Sequence, residues 1–226
     1  MIPKLIHLLW INRNSKPIPA WCAPYITKWR ALHPGYIVSV WGLDEVRSLQ
    51  DDMFEKLWAD IETDEAAICN LIRMVIIHKF GGIYADIDTE PIKSFEPLLS
   101  CPNLGVGRFG PADKFEINLF FAEPNNPVLE FGIDFYKKSN PDLYRFGGRT
   151  PLIMDAMDKS YPASITKYPQ SYFQGHVATP ETYSLHWPHA LRSWHEAAAR
   201  QYAKLRNIPT VKPAPKASPL GIDPQI

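Results

Sequence analysis

No stretch of this chain gathers charge of one sign: Lys and Arg total 24, Asp and Glu total 24, and the formal net charge is zero. A basic arm or stripe that could neutralise phosphates is therefore missing, and nucleic acid is not an expected partner. Cysteine is scarce too. Cys22, Cys69 and Cys101 are an odd number without C-x-x-C spacing, which argues against a disulfide framework and a cysteine zinc site and suits a reducing compartment. No run approaches the roughly 20 apolar residues that span a bilayer. The opening MIPKLIHLLWINRN is broken by His7 and followed by no small-residue cleavage site, so it does not read as a secretion signal. A soluble, cytoplasmic protein without a transmembrane segment is the expectation. No internal repeat is visible either.

What is present is enough apolar material for one core: 226 residues, 46% hydrophobic and 12% aromatic. KLIHLLW (4–10) is an apolar run of strand length that ends at the turn-prone NRNSKP. Trp21, Tyr25, Trp29 and Leu32 follow at helical spacing before a Pro-Gly stop, and the alternating YIVSVW (36–41) reads as a second strand, giving a βαβ opening. An amphipathic stretch covers 43–60. Asp64 is placed to cap a helix with the body EAAICNLIRMVIIHKF, closed by Gly81 and Gly82. IYADID is the next strand. Further strands are expected at 103–109 and 117–123 and helices near 127–138 and 150–159, while 163–186 looks irregular. HALRSWHEAAARQYAKLRN suits a last helix, and 208–226, with five prolines in nineteen residues, reads as an extended tail after a domain at 1–207. The alternation makes the class α/β.

Asp86 and Asp88 stand at the carboxyl end of IYADID, where ligands gather in open α/β sheets. Two carboxylates at i and i+2 leave a strand on the same side and can converge on one hard cation, Mn²⁺ or Mg²⁺, and the phosphates it carries. A bare D-x-D also caps turns and solvates loops. Its surroundings favour the site: Asn70 and Arg73 share a face of the preceding helix, and a Gly-Gly stop and an apolar strand lead into the pair.

The segment AAICNLIRMVIIHKFGGIYADIDTEPIKSFEPLL resembles the DXD-containing sugar-binding region of family 32 glycosyltransferases, which include yeast α-mannosyltransferases and bacterial capsular enzymes and are related to clostridial glucosylating toxins. IPKLIHLLWIN, EINLFFAEPNNPVLEFGI and YSLHWPHALRSW are similar to other family segments, in the same order. The resemblance implies a GT-A-like fold: one Rossmann-like domain with a mixed central sheet flanked by helices. It implies metal-dependent transfer of a hexose from a nucleotide-diphosphate sugar, UDP-sugar favoured, to a hydroxyl acceptor with retention of configuration. Leu9 and Trp10 would lie at the nucleotide, the indole stacking on the base, with Tyr84 and Asp86 also in the donor site. Arg73 and Asn70 would hold the donor sugar, and Asn118 would stand on the sugar or acceptor side. Asp88 would bind the cation directly, Asp86 would bridge toward the ribose, His186 would approach the metal, and Ser193 and Trp194 the diphosphate.

The residue types alone allow plainer roles. Arg73 could be a salt-bridged helix residue, Trp10 a core residue and His186 a packed imidazole; His7, His78, His176 and His195 have no visible partners. One departure from the family pattern is Cys69-Asn70, where serine and aspartate are usual, so an amide replaces a carboxylate expected on sugar hydroxyls. That substitution keeps a catalytically attenuated nucleotide-sugar-binding module in view. DIDTE also faintly resembles the start of haloacid-dehalogenase phosphatases, although that motif opens a first strand and Glu90 fills its fifth position.

Overall fold

A computed structural model of the chain describes residues 1–61, 63, 65–110, 114–139, 150–173 and 177–187. Its first strand, β1 (Leu5–Leu9), is followed by α1 (Ala23–Leu32) and β2 (Ile37–Trp41), and β1 and β2 pair in parallel, as the βαβ reading expects. The amphipathic stretch resolves into two helices, α2 (Leu43–Arg47) and α3 (Asp52–Ala59); Asp51 caps the second through the Phe54 N–H. The long α4 (Glu65–Phe80) leads into β3 (Gly82–Asp86). The expected cap Asp64 lies outside the described residues.

Gly81 closes α4 in the left-handed region, φ +65°, with its N–H on the Ile77 carbonyl. A Cβ at Gly81 would lie 2.7 Å from Pro124, and one at Gly82 would lie 2.6 Å from the Leu5 carbonyl oxygen. The glycine pair thus ends the helix and lets β3 run against β1 in register, with Leu9 beside Asp86.

After β4 (Thr89–Pro91) come β5 (Leu104–Phe109), β6 (Lys114–Ala122), α5 (Pro127–Lys138) and α6 (Thr150–Ser160). Asn126 caps α5 by accepting from the Val128 and Leu129 N–H groups, with Pro127 at the first helical position. The stretch that looked irregular contains β7 (Ile165–Tyr168), α7 (Gln170–Phe173) and β8 (Ser184–His186). The six-stranded sheet runs β2-β1-β3-β6-β5-β7, and within it only β6 is antiparallel to its neighbours, so the sheet is mixed, as expected. A separate two-stranded sheet pairs β4 with β8.

Two apolar layers cover the sheet. One is built from α3, α4, α5 and α6 against Tyr84, Phe120 and Ala122; the other packs Trp29, Phe95 and Phe173 against Ile83, Ala85 and Phe121. The described residues fall in one unit, Met1–Trp187. The expected last helix, the boundary at 207 and the tail lie beyond the described residues, as do His176 and His195. Among the described residues, no helix is long and apolar enough to cross a membrane.

His7, without a visible partner in the sequence, is 3% exposed on β1 and has two. Its Nε2 lies 3.1 Å from the Gly81 carbonyl oxygen, and its Nδ1 accepts the Trp41 indole N–H at 3.0 Å. The ring is therefore neutral with its proton on Nε2. Burial lowers its pKa to about 4, against the smaller upward pull of the Gly81 hydrogen bond. Between about pH 6.5 and 4 the unfolded chain binds a proton at this site and the folded chain does not, so stability falls as pH is lowered through that window. The loss from this residue is about 3 kcal/mol. Urea titrations at several pH values check it, and His7→Gln should flatten the dependence over that range.

Candidate active site

The carboxyl ends of β1 and β3 lie side by side, and the site is built there. Asp86 is the last residue of β3, and Asp88 follows in the turn that starts β4. The register of the second sheet places His186 opposite Thr89, so a residue nearly a hundred positions away arrives over the aspartates. Its Nε2 lies 3.4 Å from Asp88 Oδ1 and 3.7 Å from Asp86 Oδ2. Ligand atoms of Asp86, Asp88 and His186 all fall within 4.8 Å of one another. The three side chains are 22%, 12% and 15% exposed, so the group borders solvent without projecting into it.

An interruption in β6 supplies the next layer. Val106 of β5 pairs with Phe120, but the next residue, Gly107, pairs with Glu116, so residues 117–119 stand out of the ladder with β5, while Leu119 still pairs with Ala85 of β3. Such bulges re-aim side chains and free backbone groups. Here the freed Ile117 carbonyl accepts from Arg73 Nη1 at 2.9 Å, and the Asn118 amide N–H points to His186 Nδ1 at 2.8 Å. Asn118 Oδ1 accepts from the Leu119 N–H. The imidazole is held by its far nitrogen and directs its Nε2–H at the carboxylates.

Arg73 comes from α4 and is 8% exposed. Its Nη2 lies 3.1 Å from Asp86 Oδ1, its Nη1 3.5 Å from Asp86 Oδ2, and its Nε donates to the Cys69 carbonyl at 3.3 Å. The guanidinium lies over the Tyr84 ring, 5.0 Å to the centroid, and the Tyr84 hydroxyl donates to Asp86 Oδ1 at 2.9 Å. Arg73 therefore braces Asp86 and the bulge. Asn70 lies one turn earlier on α4, partly buried.

Burial pushes the Asp86 carboxyl up; Arg73 pulls it down and Asp88 adds to the rise, leaving it above the usual carboxylate range. Burial works against a charged His186 ring, but the hydrogen bond and charge of Asp88 outweigh it, and its pKa stands above the ordinary value. Glu116, two residues before Asn118, is raised by burial and feels His186, Asp86 and Arg73. It was not among the residues picked out in the sequence; the signal was a second polar side chain at i−2 from Asn118 on an apolar strand.

Three carboxylates thus face one guanidinium and one imidazole. Two carboxylate oxygens and an imidazole nitrogen, converging where negative charge is in excess, fit a hard or borderline divalent cation such as Mn²⁺ or Mg²⁺. The structure brings Asp86, Asp88, Arg73, Tyr84, Asn118 and His186 together. Leu9 is placed otherwise: its side chain is 5% exposed in the core, and only its backbone borders the site. Trp10, just past β1, is partly exposed and donates its indole N–H to the Lys16 carbonyl at 2.8 Å. Ser193 and Trp194 lie outside the described residues. The phosphatase alternative gains nothing here. Asp86 ends the third strand in chain order, and the oxygen it would use as nucleophile is held by Tyr84 and Arg73.

Residues 19–104 match the family described as "Glycosyltransferase sugar-binding region containing DXD motif". Inositol phosphoceramide mannosyltransferase 1 of Schizosaccharomyces pombe is 27% identical over 162 residues, 67% of this chain and 47% of the relative. Inositol phosphoceramide mannosyltransferase 3 of the same yeast is 27% identical over 103 residues, 45% of this chain and 28% of the relative. The chain thus spans at most about half the length of these curated relatives. Among solved structures, the PaToxG glycosyltransferase superposes with a TM-score of 0.55 at 20% identity, covering 71% of this chain and 70% of that one. The UDP-bound glycosyltransferase domain from the YGT toxin gives 0.53 at 10% identity, covering 93% and 87%. Residues 19–104 thus match a glycosyltransferase sugar-binding region containing a DXD motif, and the α/β fold that carries them is GT-A-like.

Proposed function

We propose that this domain transfers a hexose from a nucleotide-diphosphate sugar, UDP-sugar favoured, to a hydroxyl acceptor, with a divalent cation and retention of configuration. The observation that carries the reading is the convergence of Asp86, Asp88 and His186 at the carboxyl end of β3. Asp88 and Asp86 would hold Mn²⁺ or Mg²⁺ through oxygen, and His186 would join them through Nε2 in the tautomer that carries its proton on Nδ1, with the Asn118 amide turned to offer its oxygen to the ring. When bound, such a cation supplies Lewis-acid stabilisation of the departing diphosphate.

The chain's own groups set the rest. Arg73 and Tyr84 orient the Asp86 carboxylate, and Asn118 orients the His186 ring. Trp10, at the end of β1, would stack on the base, with the backbone of Leu9 beside it. Asn70, on the helix that carries Arg73, would hydrogen-bond the donor sugar, and Ser193 and Trp194 would reach the diphosphate. Cys22, Cys69 and Cys101 form no disulfide, which suits a reducing compartment, and we place the protein in the cytoplasm on that ground.

A panel of UDP- and GDP-hexoses, with GDP-mannose included because the yeast relatives are mannosyltransferases, tests the reading. With Mn²⁺ present, at least one donor should release nucleotide slowly without acceptor, and EDTA should stop the release. No release and no binding across the panel would end the proposal. Binding without release would favour the attenuated module, the second reading, which the amide at Asn70 supports. If Asn70 contacts the donor sugar, Asn70→Asp should change donor preference or rate by about tenfold or more. An unchanged donor profile would make Asn70 a bystander.

A further inference from the structure

Three paired residues hold β4 to β8, and a two-stranded sheet of that length is not stable by itself. Yet it presents His186 to the aspartates. Several contacts fasten it. The Trp187 N–H donates to the Asp88 carbonyl at 3.2 Å, and the Trp29 indole donates to the Thr89 carbonyl at 3.1 Å. Between them lies Glu90, 4% exposed. Its Oε1 accepts from Lys28 Nζ of α1 at 2.6 Å, and its Oε2 faces the Trp187 indole N–H at 3.4 Å. Glu90 follows Asp88 by two residues, and Trp187 follows His186 directly. One buried carboxylate therefore ties together the two chain segments whose ligand atoms must meet.

We propose that Glu90, held by Lys28 and Trp187, is a positioning residue that keeps His186 over Asp86 and Asp88 and so sets the affinity of the site for its cation. This rests on the metal-dependent reading of the site given above. Replacing a buried ion pair with well-packed neutral groups often costs little stability, so a stabilising role is a weak reason for a charge here. A geometric role explains it better. Glu90 touches both segments, and partners of metal ligands commonly alter metal affinity when removed.

Titration calorimetry with MnCl₂ on the whole chain tests this, with circular dichroism as the check on folding. Glu90→Ala should weaken Mn²⁺ binding by about 10- to 100-fold. The double variant Lys28→Met/Glu90→Gln keeps an acceptor for the Trp187 indole and removes both members of the Lys28–Glu90 ion pair, and should bind within about threefold of the parent. If Glu90→Ala does not fold, Glu90→Gln and the double variant decide: the single should bind more weakly than the double. A folded Glu90→Ala, or where that does not fold a Glu90→Gln, that binds Mn²⁺ within about twofold of the parent would overturn the inference while Asp88→Ala still abolishes binding. A double variant as impaired as Glu90→Ala would overturn it too. A parent that binds no Mn²⁺, or an Asp88→Ala variant that binds it equally well, would sink the metal reading together with the inference.

Discussion

Asp88→Ala is expected to abolish Mn²⁺ binding and to lower nucleotide release from the donor by about 10³-fold or more, the scale on which lost charge stabilisation is felt at a reacting centre. The fold should survive. Asp88 stands in a turn, where its Oδ1 meets His186 Nε2. Asp86 and Asp88 repel one another, so removing one carboxylate relieves part of the rise in the Asp86 pKa. The thermal midpoint should therefore stay close to that of the parent. Calorimetry with MnCl₂, a nucleotide-release assay and a thermal melt on the same preparation check the three parts. Asp88→Asn keeps the shape and loses the charge, and should resemble the alanine variant in binding. Full activity in either would remove the mechanism.

Arg73→Met is the substitution with the largest expected cost in stability, about 3–5 kcal/mol, because it leaves a largely buried carboxylate without its counter-charge. Two further groups lose a donor with it, the Ile117 and Cys69 carbonyls. Arg73→Lys should recover little. A single ammonium cannot reach two Asp86 oxygens, the Ile117 carbonyl and the Tyr84 ring face together. Urea denaturation gives the magnitude. Arg73→Met/Asp86→Asn should be more stable than Arg73→Met, since the second change removes the orphaned charge. If Arg73→Met loses less than about 1 kcal/mol, the brace described here is not holding Asp86.

How far the sequence carried each part depends on how local its cause was. The bounds of α5 agree with the reading because Asn126 and Pro127 mark its start in adjacent residues. The end of α4 agrees because Gly81 and Gly82 carry both the turn and the close approach to Pro124 and Leu5. By contrast, β7 and β8 passed as irregular. Strands of four and three residues show no period, and the partner of β8 lies at Thr89–Pro91, far back in the chain. The aspartate pair was legible from position and from family resemblance, and so was His186 from the resemblance alone. What the resemblance could not convey was the division of labour. Arg73 binds Asp86 and the strand, and Leu9 packs inward. Glu90, Lys28 and Glu116 drew no attention to themselves as site residues because each acts through a contact across elements.

The bulge in β6 also reverses the phase of that strand. Up to its first residue, Phe115 and Ile117 point into the helix-covered layer; after it, Phe120 and Ala122 do, so odd positions give way to even ones. A deletion inside 117–119 would therefore be felt twice, once as lost donors and acceptors around Arg73 and His186 and once as aromatic rings turned to the wrong side of the sheet. The geometry around Arg73 and His186 and the hydrophobic phasing are written into the same three residues. A ligand entering here would meet carboxylates and imidazole already pre-organised by the scaffold, and little of its binding free energy would be consumed in ordering them.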